Sequence, residues 1–389
     1  MILNKKIIEK KLRSEDGSNI KDLTTRDEDW KYVSLQSDIN NLELGNNTDL
    51  QVSEGFHMDA NGSIYNLNNP VEGISFIDFS EIDTPVIEES LKRPIDKFLY
   101  QQITRASGGF RADVKDDITD YFKINFQSKE NTIPYLGINV EKNKSAKFFI
   151  NFGDLVQSNI YPLIELNLET NSNLEIIIQS TSCHEINLIN SLYAKLNKDA
   201  SLSMHMVSTG GTFSRSRIDI DLYGNGSNFN IDGVYFGENQ QTHDNRVFVN
   251  HLGQNTTSNM QTKGVLGDES KSIFTGTIHI AEGASKTESH QENRNILLSD
   301  KASAQSVPNM EILCDDVICG HGSSVGPIDE NLYHYVMSRG VKKEKAEKLL
   351  IKGFFNEVIN KDSWDIINKE VSSQLISKYE NVLERSNNG

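Results

Sequence analysis

Hydrophobic and polar residues alternate along the middle of the chain, from about residue 111 onward. Ile218, Ile220 and Leu222 show this two-residue period. Similar short runs recur roughly every 10 to 13 residues with Gly, Asn, Asp and Ser between them, a spacing typical of all-β proteins. No helical segment separates the runs, so the pattern excludes βαβ units and leaves a sandwich, a barrel or a β-solenoid.

Both ends of the chain have a different pattern. Residues 84–106 carry apolar side chains at every fourth position, which predicts a helix. Trp30 is expected to anchor a short N-terminal segment on the body of the protein. We therefore divide the chain into a mixed, partly helical region (1–110), a β region (111–326) and a helical region (327–389).

Three helices are predicted in the C-terminal region. The first begins after the N-cap Asp329 and ends at Gly340. The second runs from about Lys342 to Asn360, and the third begins near Ser363. The residues expected on the apolar faces are Leu332, Tyr335 and Val336 in the first helix, Ala346, Leu349, Leu350, Phe354 and Val358 in the second, and Trp364, Ile367, Val371 and Leu375 in the third.

Composition narrows the function further. The net charge of −16 argues against nucleic acid as a partner, since phosphate contacts need a basic surface, but it suits a basic protein partner. Three cysteines are too few for a disulfide framework and fit a reducing compartment. The first 15 residues lack the apolar core of a signal peptide, and no apolar run approaches a membrane span. We expect a cytoplasmic protein with no membrane partner.

The candidate chemistry centres on Cys319 and His321. Two residues apart on a strand, they share one face, and a thiolate with an imidazole could bind zinc or iron. Two ligands cannot fill a tetrahedral site, so the others would come from elsewhere, another chain included. From spacing alone, a buried cysteine beside a hydrogen-bonded histidine is the more common explanation. Cys314 would face the opposite way on an unbroken strand.

Other motifs exclude several activities. Cys183 and His184 are adjacent, so on a strand they would point to opposite faces, as packing and surface residues. There is no G-x-x-x-x-G-K-[ST] motif, so the chain is not expected to hydrolyse nucleotide. The G-x-S-x-G and H-E-x-x-H motifs are absent too. We expect no catalytic residue and no enzyme activity.

An ordered set of short motifs runs from about Gly211 to Val358. They are Ser214-Arg215-Ser216-Arg217-Ile218-Asp219, Gly233-Val234-Tyr235-Phe236, Val249-Asn250-His251, Lys263-Gly264-Val265-Leu266-Gly267-Asp268-Glu269-Ser270, Phe274-Thr275-Gly276, Gln291-Glu292-Asn293-Arg294-Asn295-Ile296-Leu297-Leu298-Ser299, Pro308-Asn309-Met310-Glu311-Ile312, the stretch from Cys314 to Gly326 that contains Cys319-Gly320-His321-Gly322, Ser338-Arg339-Gly340 and Gly353-Phe354. In order and spacing they resemble the SufB/SufD family of iron–sulfur cluster assembly scaffolds, and its SufD-like branch in particular. Trp30-Lys31-Tyr32 matches a further signature, whereas residues 36–200 match weakly.

The resemblance implies a fold and a set of partners. The fold is a right-handed parallel β-helix flanked by helical N- and C-terminal regions, which chooses the solenoid among the three β architectures. The family's role is a non-catalytic scaffold of the SUF system. It pairs with a SufB-like subunit through the β-helix ends and binds a SufC-like ABC ATPase through the C-terminal helices. Arg339, Gly340, Gly353 and Phe354 are the corresponding docking residues.

The resemblance also gives the candidate site a role. Cys319 and His321 would lie at the interface with the SufB-like subunit and help to hold a transient iron–sulfur cluster there. Phe355 stands where SufB-like chains carry a cysteine, which favours the SufD-like branch. Ile318 and Gly320 replace a basic residue and a serine of the family pattern, and neither change removes a ligand atom. The resemblance assigns no role to Cys314 and leaves a flavin requirement open.

Two alternatives stay open. A β-helix carbohydrate-active enzyme would need clustered carboxylates and basic residues on one solenoid face, and no such cluster is visible in the sequence. A SufB-like scaffold could work as a homodimer, but it would need the cysteine that Phe355 replaces. A homodimer of this chain in isolation is compatible with either scaffold role.

Overall fold

The computed structural model describes residues 23, 24, 26, 27, 30, 31, 39, 41–45, 50–52, 56–58, 64–66, 72–79, 82, 96–106, 108–153, 156–359 and 364–388. The helices in these ranges are α1 (Lys97–Arg105), α2 (Glu330–Ser338), α3 (Lys343–Ile359) and α4 (Asn368–Asn388). The strands are β1 (Leu50–Val52), β2 (Phe56–Met58), β3 (Ile64–Asn66), β4 (Ile74–Asp78), β5 (Gly108–Val114), β6 (Phe122–Phe126), β7 (Pro134–Val140), β8 (Ser145–Phe152), β9 (Leu163–Leu168), β10 (Asn173–Ser180), β11 (Asn187–Leu196), β12 (Ser201–Ser208), β13 (Phe213–Leu222), β14 (Asn228–Gly237), β15 (Thr242–His251), β16 (Thr257–Leu266), β17 (Lys271–Ile280), β18 (Thr287–Leu297), β19 (Ser303–Ile312) and β20 (Val317–Gly326).

The strands from β5 to β20 build a parallel β-solenoid of about seven turns. Successive strands alternate between two facing sheets, and each strand pairs in register with the strand two positions later. One coil spans 28 residues in the early turns, where Asn167 donates to Asn139. It spans 31 residues near the C-terminal end, where Ser258 contacts Ser289. The mainly β, parallel β-helix class expected from the sequence is confirmed.

A left-handed residue turns the chain at one corner of most coils. The amide of Asn171, for example, donates to the Lys198 carbonyl of the next coil at 2.8 Å. Asn, Asp and Gly adopt positive φ at the lowest cost, which explains five of the six residues found at this corner. The stacked corner residues are Asn143 (φ 60°), Asn171 (φ 58°), Asp199 (φ 55°), Gly226 (φ 74°), Asn255 (φ 54°) and Lys286 (φ 58°).

The space between the two sheets, which we call the lumen, changes character along its length. In the early coils it is filled with apolar side chains, and the Phe126 and Phe152 rings stack at 4.6 Å. In the last coils the inward positions of the eleven-stranded sheet become polar, with Ser289, Gln291 and Asn293 all buried. These buried polar side chains form hydrogen bonds between coils, as Ser289 does with Ser258 and Asn293 with Thr262.

The N-terminal segment and α1 cover the outer face of the nine-stranded sheet. Trp30 is 1% exposed, and its indole nitrogen donates to Asp96 at 3.1 Å. The Arg215 guanidinium of β13 lies 3.8 Å from the centre of the Trp30 ring. The expected aromatic anchor is therefore confirmed. Of the helix predicted at 84–106, α1 covers Lys97–Arg105, and residues 84–95 lie outside the described part of the chain.

Helices α3 and α4 cover the outer face of the eleven-stranded sheet. Trp364 is fully buried there together with Val371 and Leu375, as predicted. The Lys263 ammonium of β16 is buried beneath α3, where it pairs with Glu357 and donates to the Phe354 carbonyl at 3.0 Å. A buried charge needs such partners, so this contact fixes α3 on the sheet.

The C-terminal helices differ in part from the prediction. Asp329 is confirmed as the N-cap of α2, because its carboxylate accepts from the Asn331 and Leu332 amides at 2.8 and 3.2 Å. The inward assignment of Leu349 was wrong, since Leu349 is 54% exposed. The helix turns so that Ile351 and Phe355 are buried instead. Helix α4 begins at Asn368, a few residues after the predicted start.

The two ends of the solenoid are built differently. At the N-terminal end, β4 pairs antiparallel with β5 and β1 pairs antiparallel with β6, which covers both sheet edges. At the C-terminal end, β19 and β20 are the last strands of their sheets. Among the described strands, they pair only with β17 and β18, so we call this the open end. The division into three sequence regions stays a prediction.

None of the helices in the described ranges is both long and apolar enough to cross a membrane.

Two histidines are buried inside the solenoid and held by hydroxyl groups. His251 contacts Thr256 at 2.8 Å and Ser258 at 3.0 Å, and His243 contacts Ser208 at 3.0 Å. Burial lowers the pKa of both imidazoles to about 4, and positive charge nearby adds to the effect. Both rings are therefore neutral in the folded protein at neutral pH.

These histidines predict a loss of stability in weak acid. The unfolded chain binds protons near pH 6.5 and the folded chain only near pH 4, so stability falls as the pH drops through this window. Between pH 7 and pH 5 each histidine should cost about 2 kcal/mol of unfolding free energy. Urea unfolding at the two pH values measures the loss. His251→Gln should reduce the pH-dependent loss by about that amount, and an unchanged loss would contradict the assignment.

Candidate functional site

Strand β20 carries the candidate residues at the open end. It pairs in register with β18, so that Cys319 lies over Ser289 and His321 lies over Gln291. Ser289 and Gln291 are buried inside the lumen. Cys319 and His321 therefore point to the same, inward side of the sheet, as their spacing predicted, and they form part of the last layer of the lumen.

The two side chains differ in exposure. Cys319 is half-buried and packs against the apolar core, whereas His321 is exposed at the rim. The His321 Nδ1 atom lies 3.3 Å from the Met310 sulfur on β19, across the mouth of the lumen. Sequence reasoning missed Met310, because it is eleven positions away in the chain and on the other sheet. The sequence signal for Met310 was its position in the Pro308-Asn309-Met310-Glu311-Ile312 motif, at the end of β19 and just before the turn into β20.

The Cys319 thiol is in a partly desolvated environment. Burial raises the pKa of this thiol, and a hydrogen bond from the Ser289 backbone offsets only part of the rise. A higher pKa means less thiolate at a given pH. The isolated chain therefore keeps Cys319 in its less reactive, protonated form until a metal ion or a basic group removes the proton.

Cys314 is placed differently from the expectation. The chain is not one strand here, because β19 ends at Ile312 and β20 begins at Val317. The expectation that Cys314 faces away from Cys319 on one unbroken strand was therefore wrong. The side chain is half-buried and packs against the same apolar core as Cys319.

The candidate pair on its own is a partial metal site. Among the residues that the structure describes, no group of three or more His, Cys, Asp or Glu side chains is arranged to hold a metal ion. Cys319 and His321 can supply one sulfur and one nitrogen, which suits zinc or iron. Such a pair can complete a coordination shell only with further donors.

A buried polar column leads from the lumen to this pair. The His251 ring contacts Ser258, the Ser258 hydroxyl contacts Ser289 at 2.6 Å, and Ser289 is the in-register neighbour of Cys319. Each hydroxyl in the column has a hydrogen-bond partner, so the column can stay buried without water. It fixes the strands that carry the candidate residues.

Exposed apolar side chains surround the open end. Ile318, between the loop and Cys319, is 60% exposed, and Ile312, Leu313 and Val325 are exposed as well. The ten-residue edges of β19 and β20 also present unpaired backbone groups. Long edges with exposed apolar residues are uncommon on an isolated protein and mark interaction surfaces.

Of the predicted docking residues, Arg339 and Gly340 lie between α2 and α3, and Gly353 and Phe354 lie on α3. Gly340 has a φ of 87° and accepts the sharp turn that follows α2, while the Arg339 guanidinium stacks on Tyr335 at 5.1 Å. A side chain at Gly353 would meet open space, so this position faces solvent. Phe354 is half-buried, and the Lys263 ammonium lies 4.6 Å from the centre of the Phe354 ring. All four positions lie within residues 339–354, and their docking role stays a prediction.

Helix α2 has no buried residue. Leu332 is 50% exposed and Tyr335 is 56% exposed, so the predicted apolar face exists but faces away from the body. An apolar helix face without cover is a common recognition element for a partner protein.

A second group of reactive side chains lies elsewhere, beside α4. Cys183 and His184 line a cavity of about 850 Å³ with the charged residues Glu238, Lys378 and Arg385. The expectation that the first two point to opposite faces was wrong, because they lie in a loop and not on a strand. Arg385 and Lys378 form ion pairs with Glu238, so the charges of this cavity compensate one another.

The chain is similar to known proteins over its solenoid. The family model described as "SUF system FeS cluster assembly, SufBD core domain" matches residues 122–354. The chain is 31% identical over 228 residues to an iron–sulfur cluster assembly SufBD family protein of Mycobacterium leprae, covering 57% of each chain. It is 36% identical over 183 residues to the iron–sulfur cluster assembly protein SufD of Bacillus subtilis, covering 47% of this chain and 40% of that one.

The corresponding protein SufD of Escherichia coli is 30% identical over 163 residues, covering 42% of this chain and 38% of the relative. The chain thus spans about half the length of the curated relatives that it matches.

The environments of the cysteines predict their order of alkylation. With iodoacetamide at pH 7.5, the exposed Cys183 should react first and Cys319 several-fold more slowly, since burial raises the Cys319 thiol pKa. Mass spectrometry of peptides taken over time measures both rates. Unfolding in guanidinium should remove the difference, and equal rates in the folded protein would contradict the structure.

Proposed function

This chain belongs to the SUF-system family of iron–sulfur cluster assembly proteins that share the SufBD core domain, and from this premise we propose that it is a SufD-like scaffold subunit. It would pair with a SufB-like subunit, bind a SufC-like ATPase and help to assemble an iron–sulfur cluster. The open end of the solenoid is the observation that carries the proposal. A SufB-like chain with a similar solenoid could continue both sheets there.

The open end suits such a partner in three respects. Strands β19 and β20 are both ten residues long, which gives two parallel edges for backbone pairing. Their rim carries the apolar side chains Ile312, Leu313 and Ile318. Cys319 and His321 lie between these apolar contacts, so pairing would bring them into the interface and exclude water from them.

The incomplete metal site fits a shared interface. Cys319 and His321 offer two donors, and a partner chain would supply the rest. The nascent cluster is the cargo of this site and not a resident cofactor. The raised pKa of the Cys319 thiol suits this role, because the sulfur stays protonated until iron arrives.

The helical C terminus is the proposed docking site for the ATPase. Helix α2 presents an uncovered apolar face, and Arg339 and Gly340 follow directly after it. Lys263 ties α3, and with it Phe354, to the solenoid. Movement of a bound ATPase would therefore be passed to the sheet that ends in β20. The sequence itself has no nucleotide-hydrolysis motif, so nucleotide hydrolysis would come from the separate SufC-like ATPase.

Phe355 supports the SufD-like role over a SufB-like homodimer. It stands where SufB-like chains carry a cysteine, and here it is 1% exposed against the outer face of the eleven-stranded sheet. A second copy of this chain would therefore add no thiol at this position.

Substitution of the two candidate ligands tests the site. In a complex reconstituted with SufB-like and SufC-like partners, His321→Ala and Cys319→Ala should each lower bound iron and acid-labile sulfide by about tenfold or more, because the chain loses a donor atom. The partners should still co-purify. Cys183→Ala, which removes an exposed thiol outside the open end, is the matched control. Cluster assembly by both variants at the wild-type rate would refute the proposed site.

A change on α2 tests the docking role. Tyr335→Asp should weaken binding of the SufC-like ATPase by about tenfold or more, because it places a charge in an apolar contact. The fold should be unaffected, since α2 has no buried residue. Leu252→Asp introduces the same charge at an exposed apolar position on the solenoid and should leave binding intact. Co-purification and titration measure both, and unchanged affinity of Tyr335→Asp would contradict the assignment.

A further inference from the structure

We propose that Met310 is a third ligand at the open end, so that this chain alone offers a thioether, an imidazole and a thiolate to one soft or borderline metal ion. The proposal adds a ligand to the site of the proposed cluster scaffold. It rests on that proposed function only for the identity of the physiological metal, which would be iron. The observation behind it is the 3.3 Å separation between the Met310 sulfur and the His321 Nδ1 atom.

The distance suits two donors on one metal ion. Nitrogen and sulfur ligands bind zinc-like ions at about 2.0–2.1 Å and about 2.3 Å, which separates neighbouring tetrahedral donors by about 3.6 Å. The observed atoms need to move by only a few tenths of an ångström to reach that arrangement. Cys319 follows on the same inward face of β20, one rung from His321.

The donor set selects the kind of metal. Thioether and thiolate sulfur favour copper(I), zinc and iron–sulfur species, whereas magnesium and calcium need oxygen ligands. Leucine would fill the same apolar space on β19 as Met310, where the side chain packs against the lumen core. It could not donate to a metal ion. The sulfur is therefore the part of this side chain that packing does not require.

A buried amide closes the lumen just beneath the donors. Gln291 lies in register under His321, and its side-chain oxygen is buried with no hydrogen-bond partner among the described residues. The amide reaches across to Gly276 on the opposite sheet, where a Cβ atom would lie 2.0 Å from that oxygen. A buried oxygen without a partner is costly, and a metal-bound water or hydrosulfide at the mouth could donate to it.

Metal binding by Cys319 releases the thiol proton. The metal–sulfur bond to Cys319 forms as the thiol S–H bond breaks, and the proton passes to the solvent. Met310 and His321 would bind through lone pairs on sulfur and nitrogen.

The test uses the full chain, kept reduced and free of oxygen, with ¹³C-labelled methionine methyl groups. The Cys183→Ser background removes the exposed thiol. Copper(I), supplied from a chromophoric chelator, is the probe. We expect saturation to shift the Met310 methyl resonance, identified by its loss in Met310→Leu, while the other methionines stay unchanged. Magnesium should shift nothing.

Variants measure what the sulfur contributes. Met310→Leu should weaken copper(I) affinity by about tenfold or more, since it keeps the volume of the side chain and removes the donor. Met337→Leu removes an exposed thioether from α2 and is the matched control, with affinity expected within about twofold of the parent. Cys319→Ser should weaken binding at least as much as Met310→Leu.

Two results would overturn the proposal. One is a Met310 resonance that does not move at saturating copper(I), and the other is a Met310→Leu protein with parental affinity. The resonance is read in the folded parent protein, so the test does not depend on a variant that folds. It also needs neither partner subunit. Copper(I) binding through Met310 without cluster assembly in the reconstituted complex would refute the proposed function alone.

Discussion

Each strand from β5 to β20 forms backbone hydrogen bonds with the strand two positions away in the chain, and the rest of the structure depends on this in-register ladder. A ladder of this kind requires each strand to start in register with the paired strand of the preceding coil. The left-handed corner residues meet the requirement, because each turns the chain at the same place and donates its amide to the next coil. Inward side chains then stack over inward ones, and outward side chains form rows that the flanking helices can cover.

The same constraint explains which features could be predicted from the sequence. The two-residue period is visible in Ile218, Ile220 and Leu222, because inward and outward positions differ in polarity, and the buried face of α4 is visible in its helical spacing. The alternation of polar and apolar residues did not distinguish a solenoid from other β folds. The coil repeat is marked mainly by Asn, Asp and Gly at the corners, and these residues are common in the loops of many folds. Asn143, Asn171 and Asp199 would have shown the coil length if aligned by interval.

Site residues were predictable only where local geometry decided them. Cys319 and His321 share a face because they are on one strand. Cys314 and the pair Cys183–His184 were misplaced because the strand assumed for them is a loop. Met310 meets His321 from the other sheet, and its position follows from closure of a coil, which no local pattern shows. The predicted burial of Leu349 was wrong for another reason. Helix α3 has apolar residues on two sides, and its sequence does not reveal which side the sheet covers.

The two ends of the solenoid differ in how their sheet edges are covered. At the N-terminal end, short antiparallel strands continue both sheets beyond the parallel ladder. The C-terminal end keeps two bare edges and a polar lumen, which are costly in isolation and useful in a complex.

The burial of both tryptophans gives the molecule a built-in optical reporter. Trp30 lies against the nine-stranded sheet under the Arg215 guanidinium, and Trp364 lies against the eleven-stranded sheet beside His205. They are the only tryptophans in the chain, one for each flanking region. In variants that keep only one of the two tryptophans, intrinsic fluorescence can therefore follow undocking of the N-terminal segment or of the C-terminal helices without any added dye.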